Sequence, residues 1–312
     1  TFGDSPEEGG DDNEWEIYTN PESILNLQLD YGADIIATLD YPIPPNLNEE
    51  ETTQRMEDSI DSAIECLELL EDREESPAVY IAIHGHDYET INWYVGTFLD
   101  RVENIDKTFE GFAIGSLVPL RNNVETLVDI IQGAKDAIPD KREDDLGLHV
   151  FGVGGKFTSL LALLGVDSFD SSSYIRAAQF KKIIDRQVQP SEHRLEDYDG
   201  GIKGLGGTDR YNSWSKFTAE ELEDRDDWNC RCPACQELKD VGVDQMYETL
   251  YESDSYDRSG DYMKSDFYAM IAFHNFHVYQ DEMNHVRNRI EKDNGKALLR
   301  YVARLATNGV GK

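Results

Sequence analysis

The sequence has few cysteines, few basic residues and no long apolar run. Four cysteines among 312 residues argue against a disulfide-rich secreted scaffold, because such scaffolds are dense in cysteine. The longest apolar runs, 78–83 and 160–164, are far below the roughly 20 residues that a membrane-spanning helix needs. No signal-peptide pattern is evident at Thr1. We therefore expect a cytoplasmic, intracellular protein in a reducing compartment, with no membrane partner.

Basic residues are scarce: 29 Lys and Arg stand against 63 Asp and Glu, giving a net charge of -34 and a pI near 4.4. At face value this balance argues against nucleic acid, because nucleic-acid binding rests on cations that neutralise phosphates. The acids are, however, spread along the chain between ordinary apolar segments. That pattern is typical of a halophilic surface, where molar salt screens charge within about 3 Å. We predict a protein of a halophile or of its virus; the alternative is an acidic mesophilic protein.

Three of the four cysteines fall within six residues. The ligand types of a zinc site are all present in Cys230, Cys232, Cys235 and the downstream His274. Zn²⁺ takes thiolates and imidazole in a closed tetrahedron, and closed sites are structural. A disulfide would leave one of the clustered cysteines unpaired, and Cys66 lies in an apolar helical stretch. We predict a structural Zn²⁺ site, with a redox or fortuitous cluster as the alternative.

Short apolar segments alternate with segments of helical periodicity. The expected strands are 34–39, 78–83, 111–117, 148–153 and 166–169. The expected helices are 52–70, 89–102, 124–137, 158–164, 174–184, 265–292 and 297–306. Buried strands that alternate with helices predict an α/β fold with a parallel sheet. Five such units fit either a doubly wound sheet or part of an eight-unit barrel.

Polar or glycine-rich residues follow each expected strand, at the end where both architectures place their sites. These residues are Asp40, His84, His86, Asp87, Ser116, Gly152, Val153, Gly154, Gly155, Lys156 and Asp170. Each has a structural alternative. Asp170 could cap a helix, which is worth about 1 kcal/mol, and Asp40 could form the turn before Pro42. The histidines could be hydrogen-bonded structural residues, and glycine-rich turns between strand and helix are common.

In chain order, five features combine into one pattern. They are the segments 34–45, 113–120, 151–155 and 167–171, and the cysteine cluster with His274-Asn275. This ordered set resembles the tRNA-guanine transglycosylase family, most closely its archaeal branch, and covers about residues 30–291. Members of the family exchange guanine for a 7-deazaguanine base in nucleic acid.

The resemblance implies a (β/α)8 TIM-type barrel that lacks its first strands in this chain and carries an inserted zinc-binding subdomain. It implies barrel elements with the active site over 1–195, the zinc subdomain over 196–291 and a C-terminal helix over 292–312. A homodimer or a partner chain is also expected.

The same resemblance implies a role for each matched residue. Asp170 matches the nucleophile that attacks C1′ of the target nucleoside, and Asp40 matches the carboxylate that reads the incoming base. Ser116 and Leu117 match the backbone beside that base. The loop that contacts the nucleic-acid backbone is matched by Gly152, Val153, Gly154, Gly155 and Lys156. The zinc ligands are matched by Cys230, Cys232, Cys235 and His274.

The sequence departs from the family pattern at several points. The second catalytic aspartate belongs to an Asp-Ser-Gly-Gly-Phe segment that is expected upstream of Thr1. His84 takes the place of a base-reading Gln, and Ser116 that of a glycine. The gap from Cys235 to His274 is long, and we expect no further RNA-binding domain after the barrel.

These departures favour the DNA-acting branch of the family. A tRNA enzyme and a non-catalytic accessory subunit are the alternatives, and a metal-dependent hydrolase that uses His84, His86 and Asp87 is a third.

Overall fold

The computed structural model describes residues 19–71, 73–74, 77–103, 109–119, 123–140, 145–180, 182–186, 214–218, 230–236, 266–292 and 295–307. The helices are α1 Pro21–Asp30, α2 Glu49–Glu71, α3 Tyr88–Arg101, α4 Val124–Ala137, α5 Thr158–Leu163, α6 Ser173–Gln179, α7 Asp266–Ile290 and α8 Lys296–Thr307. The strands are β1 Ile35–Ala37, β2 Ala78–Ile83, β3 Gly111–Ile114, β4 Gly147–Val150, β5 Ser168–Phe169, β6 Lys182–Arg186 and β7 Trp214–Thr218. Among the described helices, none is both long and apolar enough to span a membrane.

Five strands form one parallel sheet in the order β1-β2-β3-β4-β5. Their spatial order equals their chain order, so the sheet contains no point at which the strand order reverses. A doubly wound sheet requires such a reversal, whereas a barrel adds each strand beside the previous one. The sheet is therefore a curled half-barrel of TIM-like α/β type. Closure into eight strands stays a prediction.

The outer face of this sheet carries the main core. Alternate strand residues point to opposite faces, and those on the outer face are buried with the covering helices. The outward set is Ile36, Val79, Ile81, Ile83, Phe112, Ile114, Leu148 and Val150. Three rings, Phe98, Phe109 and Phe112, pack edge to face at centroid distances of 5.3 to 5.8 Å. This packing holds α3 against β3.

Helix starts follow their capping residues. Asp87 and Asn123 each accept the backbone N–H three residues onward, at the starts of α3 and α4. Helix α1 begins with Pro21 and is capped by Asn20. The Asn20 side chain accepts the Ser23 N–H, and the Ser23 hydroxyl in turn accepts the Asn20 N–H. Asn before Pro at a helix start is a recognised signal, and it could have predicted α1, which the periodicity did not reveal.

The predicted helix over 174–184 is wrong in its second half. Helix α6 ends at Gln179, and Lys182–Arg186 forms β6, antiparallel to Trp214–Thr218. Asn275 of α7 explains the ending: its Oδ1 accepts the Ile184 N–H at 2.8 Å, and its Nδ2 donates to the Lys182 carbonyl at 3.1 Å. A tertiary contact therefore overrides a helical pattern at this position.

The strand expected over 111–117 also ends early, at Ile114. Ser116 and Leu117 consequently lie in the loop that follows β3. The remaining expected helices and strands are found, and their ends differ from the expected positions by at most three residues.

Candidate functional site

Three strand ends bring together Asp40, His84 and Ser116. His84 Nδ1 lies 3.1 Å from Ser116 Oγ, and His84 Nε2 lies 3.0 Å from Asp40 Oδ2. The second contact is close, but its angle is not that of a hydrogen bond. His84 is 1 % exposed and Asp40 37 %, so the ring is buried while the carboxylate reaches the surface. The group therefore offers a ligand a partly exposed carboxylate beside a buried ring.

The backbone around this group is specialised. Ser116 has φ 59°, a left-handed conformation that L residues other than glycine rarely adopt. A Cβ on Gly115 would lie 2.6 Å from His84 Cε1, so only glycine leaves room for the buried ring. Both features sit at one strand end, as expected where a site constrains the chain.

The loop after Asp40 is held at several points. Ser59 Oγ of α2 accepts the Tyr41 N–H at 2.9 Å, and Ser116 Oγ accepts the Ile43 N–H at 3.1 Å. His86 Nε2 contacts the Ile43 carbonyl at 2.7 Å. The loop that carries Asp40 is thus tied to α2 and to the ends of β2 and β3. Ser59 is a supporting residue that the sequence analysis missed, because only the packing of α2 against this loop reveals it.

Asp170 follows β5 and is 58 % exposed. Its Oδ1 accepts the Gly152 N–H at 2.8 Å. Ser172 is the N-cap residue of α6, so the alternative in which Asp170 caps this helix is not what the structure shows. The carboxylate instead belongs to the glycine-rich turn after β4, and Gly152 at φ 68° aims its N–H at it.

The rest of that turn is short and tight. Gly155–Phe157 forms one turn of 3-10 helix that leads into α5. A Cβ on Gly154 would lie 2.6 Å from the Phe169 ring, so glycine allows the turn to pack against β5. Val153 is buried, and the side chain of Lys156 lies outside the described residues.

His149 is a second residue near Asp170 that the sequence analysis missed. It lies on β4, and its Nε2 is 3.6 Å from Asp170 Oδ1. Burial lowers the pKa of His149, while the nearby Asp170 carboxylate acts in the opposite direction. The available signal was its position in the strand that leads into the glycine-rich turn, beside the strand that ends at Asp170.

The predicted metal ligands lie together. The three sulfur atoms of Cys230, Cys232 and Cys235 lie 3.3 to 3.5 Å from His274 Nδ1, and the four ligand atoms all lie within 4.8 Å of one another. A zinc tetrahedron places nitrogen and sulfur ligands about 3.5 Å apart. This is the only such group among the described residues.

The chemistry of the four ligands also fits a cation. Hydrogen bonds from the other two thiols lower the pKa of Cys230, and contacts with the other two sulfurs raise that of Cys235, because protonated neighbours stabilise one thiolate and that thiolate then opposes further ionisation. His274 Nε2 lies 2.9 Å from the Ile184 carbonyl, so it carries the proton and leaves Nδ1 as a ligand. The group could therefore hold a metal ion.

The structure does not bring His84, His86 and Asp87, the residues of the hydrolase alternative, together around one point. Asp87 caps α3, His86 contacts the Ile43 carbonyl and His84 lies between Ser116 and Asp40. In the described ranges these side chains do not form a metal-ligand group.

Comparison with known proteins assigns the family. The model of the family described as queuine tRNA-ribosyltransferase matches residues 12–307. The chain belongs to this family.

Three relatives illustrate the similarity, each named tRNA-guanine(15) transglycosylase. The enzyme of Thermococcus kodakarensis is 26 % identical over 277 residues, which cover 88 % of this chain and 37 % of the relative. That of Haloferax volcanii is 26 % identical over 285 residues, covering 88 % and 43 %. That of Methanococcus aeolicus is 22 % identical over 282 residues, covering 89 % and 35 %. The chain thus spans about two fifths of the length of these curated relatives.

Proposed function

We propose that this chain carries the active site of a transglycosylase that exchanges guanine for a 7-deazaguanine base in nucleic acid. The observation that carries the proposal is the placement of Asp170, whose Oδ1 accepts the Gly152 N–H at 2.8 Å while the side chain stays 58 % exposed. A carboxylate held by one oxygen can attack with the other. Membership of the queuine tRNA-ribosyltransferase family supports this reaction class.

The proposed reaction is a double displacement. The free oxygen of Asp170 forms a bond to C1′ as the bond from C1′ to N9 of guanine breaks, through an oxocarbenium-like state. The leaving guanine takes up a proton. The incoming base then loses its N9 proton and displaces Asp170, which returns as a carboxylate. Two inversions at C1′ retain the configuration.

The incoming base is assigned to the Asp40 group. The Asp40 carboxylate would accept N–H groups of the base, and the buried ring of His84, 3.0 Å away, would hold that carboxylate in place. Ser116 and Leu117 would line the base with their backbone. An acceptor that the bound base covers disfavours ligands that lack the matching donor, at a cost of about 1–3 kcal/mol per unsatisfied group.

The glycine-rich turn is assigned to the nucleic-acid backbone. Residues 152–156 form the turn at the carboxyl end of β4, and Gly152 in this turn donates its N–H to Asp170. The target nucleotide must leave its stack to reach this position, which costs a few kcal/mol and favours loops or single strands.

The metal site is assigned to structure. Cys230, Cys232, Cys235 and His274 would hold Zn²⁺, which neutralises the thiolates and fixes α7 to the cysteine turn. None of the proposed reaction steps uses this ion.

The target nucleic acid separates two versions of the proposal. The relatives' name, tRNA-guanine(15) transglycosylase, supports tRNA. The departures from the family pattern, His84 and Ser116 among them, are the reason to favour DNA, and that preference stays a prediction.

Guanine exchange tests the proposal. The full-length protein should incorporate labelled guanine into tRNA or DNA, and Asp170→Asn should lower the rate by at least about a thousandfold, because the covalent step is lost. Asp129→Asn is the matched control, since this exposed carboxylate lies on α4. Equal rates for Asp170→Asn and the wild type would overturn the assignment of the nucleophile.

Nucleoside mass spectrometry tests the target. Cells with and without the gene should differ in 7-deazaguanine content in one pool only. A base that appears in tRNA alone would overturn the DNA prediction, and one that appears in DNA alone would overturn the tRNA version.

A further inference from the structure

We propose that His149 is a positioning residue that directs Asp170, holding Oδ1 so that Oδ2 is the oxygen that attacks C1′. This inference rests on the proposed function and adds to it a residue and an atomic assignment. It is carried by the arrangement of His149, Ser168 and Asp170 on two paired strands.

The strand register places His149 beside its partners. His149 of β4 pairs with Ser168 of β5, and its Nδ1 lies 2.9 Å from Ser168 Oγ. With one ring nitrogen bound to Ser168, the other nitrogen, Nε2, faces Asp170 Oδ1 at 3.6 Å. A donor hydroxyl on Ser168 leaves the proton on Nε2, directed towards the carboxylate.

The ring of His149 is supported from the sides. Phe151 lies edge-on at a centroid distance of 4.8 Å and Tyr80 at 6.5 Å. Tyr80 can reach across two strands because Gly111 and Gly147 lack side chains; a Cβ there would lie 2.8 Å from the Tyr80 ring and 2.5 Å from its hydroxyl. The glycines therefore serve the placement of an aromatic wall beside His149.

The two oxygens of Asp170 have different surroundings. Oδ1 accepts the Gly152 N–H at 2.8 Å and faces His149 Nε2. Within the part of the chain that the structure describes, the interactions of this carboxylate all involve Oδ1. Donors on one oxygen fix the orientation of the carboxylate and leave the lone pairs of Oδ2 for the reaction.

The charge of His149 matters because it lies beside a nucleophile. A neutral ring offers an N–H without a positive charge, whereas a protonated ring would stabilise the carboxylate and weaken its attack. Burial lowers the pKa of His149 against the opposing effect of Asp170. Tyr80 also faces the ring, and its pKa is raised by burial and by Asp167 and Glu110, so Tyr80 stays neutral. The lowered pKa therefore favours a neutral His149 ring beside the Asp170 carboxylate at neutral pH.

Steady-state kinetics of the full-length protein test this role. His149→Phe should lower kcat about tenfold to a hundredfold, the effect of misplacing a reacting group, with little change in KM for the base. His149→Gln retains a neutral N–H donor and should keep kcat within about threefold. It should also lose the fall in rate below the ordinary histidine pKa of about 6.5. His285→Gln is the matched control, because that ring contacts the Asp281 carbonyl within α7.

The possible outcomes distinguish a failure of the proposed function from a failure of the inference about His149. A wild-type protein that exchanges no guanine overturns the proposed function and this inference together. An active wild type with His149→Phe at the wild-type kcat, or with His149→Gln as slow as His149→Phe, overturns this inference alone.

A second measurement does not depend on activity or on the folding of the His149 variants. In NMR titrations, Asp170→Asn should lower the pKa of His149, because the neighbouring negative charge is removed. An unchanged pKa in this variant would overturn the inference.

Discussion

A single residue, Ser116, connects two parts of the site. Its Oγ accepts the Ile43 N–H at 3.1 Å and lies 3.1 Å from His84 Nδ1. Its backbone has φ 59°, which costs a residue with a side chain about 1–2 kcal/mol. The structure keeps this strained residue because the hydroxyl holds the loop after Asp40 to the buried ring of His84.

Substitutions at Ser116 should separate the hydroxyl from the backbone strain. Ser116→Ala loses both contacts and keeps the strain, so the free energy of unfolding should fall by about 1–3 kcal/mol. Ser116→Gly loses the same contacts but relieves the strain, so it should be about 1 kcal/mol more stable than Ser116→Ala. Denaturant unfolding measures both. Ser116→Ala at least as stable as the wild type would contradict this account.

The sequence predicts the positions of the main site residues but not the residues that they contact. The positions of Asp40, His84 and Asp170 at strand ends follow from the alternation of strands and helices. Their partners do not, because the contacts of His84 with Ser116 and of Asp170 with Gly152 join segments that are 32 and 18 residues apart. Strand pairing creates these contacts, and a single sequence shows no register.

A single helix, α7, contacts three features of the fold. His274 offers Nδ1 to the cysteine cluster, and Asn275 holds β6. One turn further on, the Tyr279 hydroxyl lies 3.2 Å from Ser171 Oγ, in the residue next to Asp170. The metal ligands and the loop of the proposed nucleophile are thus supported by one helix.

Metal content tests the cysteine cluster. The full-length protein should contain one Zn²⁺ per chain at this site, and Cys232→Ser should lose it with a lower melting temperature, since a structural metal contributes directly to stability. Cys66→Ala is the control, because Cys66 lies in α2 and burial raises its thiol pKa to about 11, which makes it a poor ligand. Full zinc content in Cys232→Ser would contradict the assignment.

Removal of the Asn275 side chain tests its role in holding β6. Asn275→Ala leaves the Ile184 N–H and the carbonyls of Lys182 and Tyr174 without this partner. The free energy of unfolding should fall by about 3 kcal/mol or more, because each buried unsatisfied group costs about 1–3 kcal/mol. Denaturant unfolding measures the loss, with Asn284→Ala, which lies two turns further along α7, as a comparison. A loss below about 1 kcal/mol would show that β6 is held by other contacts.

The net negative charge of the chain affects the stability of the whole molecule. Sixty-three acidic residues against 29 basic residues produce self-repulsion that destabilises the folded state at low salt. Salt shortens the range of this repulsion from about 10 Å at 0.1 M to about 3 Å at 1 M. The halophile prediction depends on this screening. The approach of a nucleic acid to the site also depends on it, because nucleic acid and the protein surface are both negatively charged.

Thermal unfolding across salt concentrations tests the halophile prediction. The melting temperature should rise steeply between 0.1 and 1 M KCl, and an equal osmolarity of an uncharged solute should not reproduce the rise. A melting temperature that does not change with KCl would contradict a halophilic surface.

Attack on C1′ by Asp170 is the central claim about the whole protein. The full-length wild type should form a covalent adduct with its nucleic-acid substrate when no incoming base is supplied. After digestion, peptide mass spectrometry should locate the nucleotide on Asp170, and the adduct should be absent from Asp170→Asn and present in Asp129→Asn. An adduct on another residue, or one that persists in Asp170→Asn, would contradict the account.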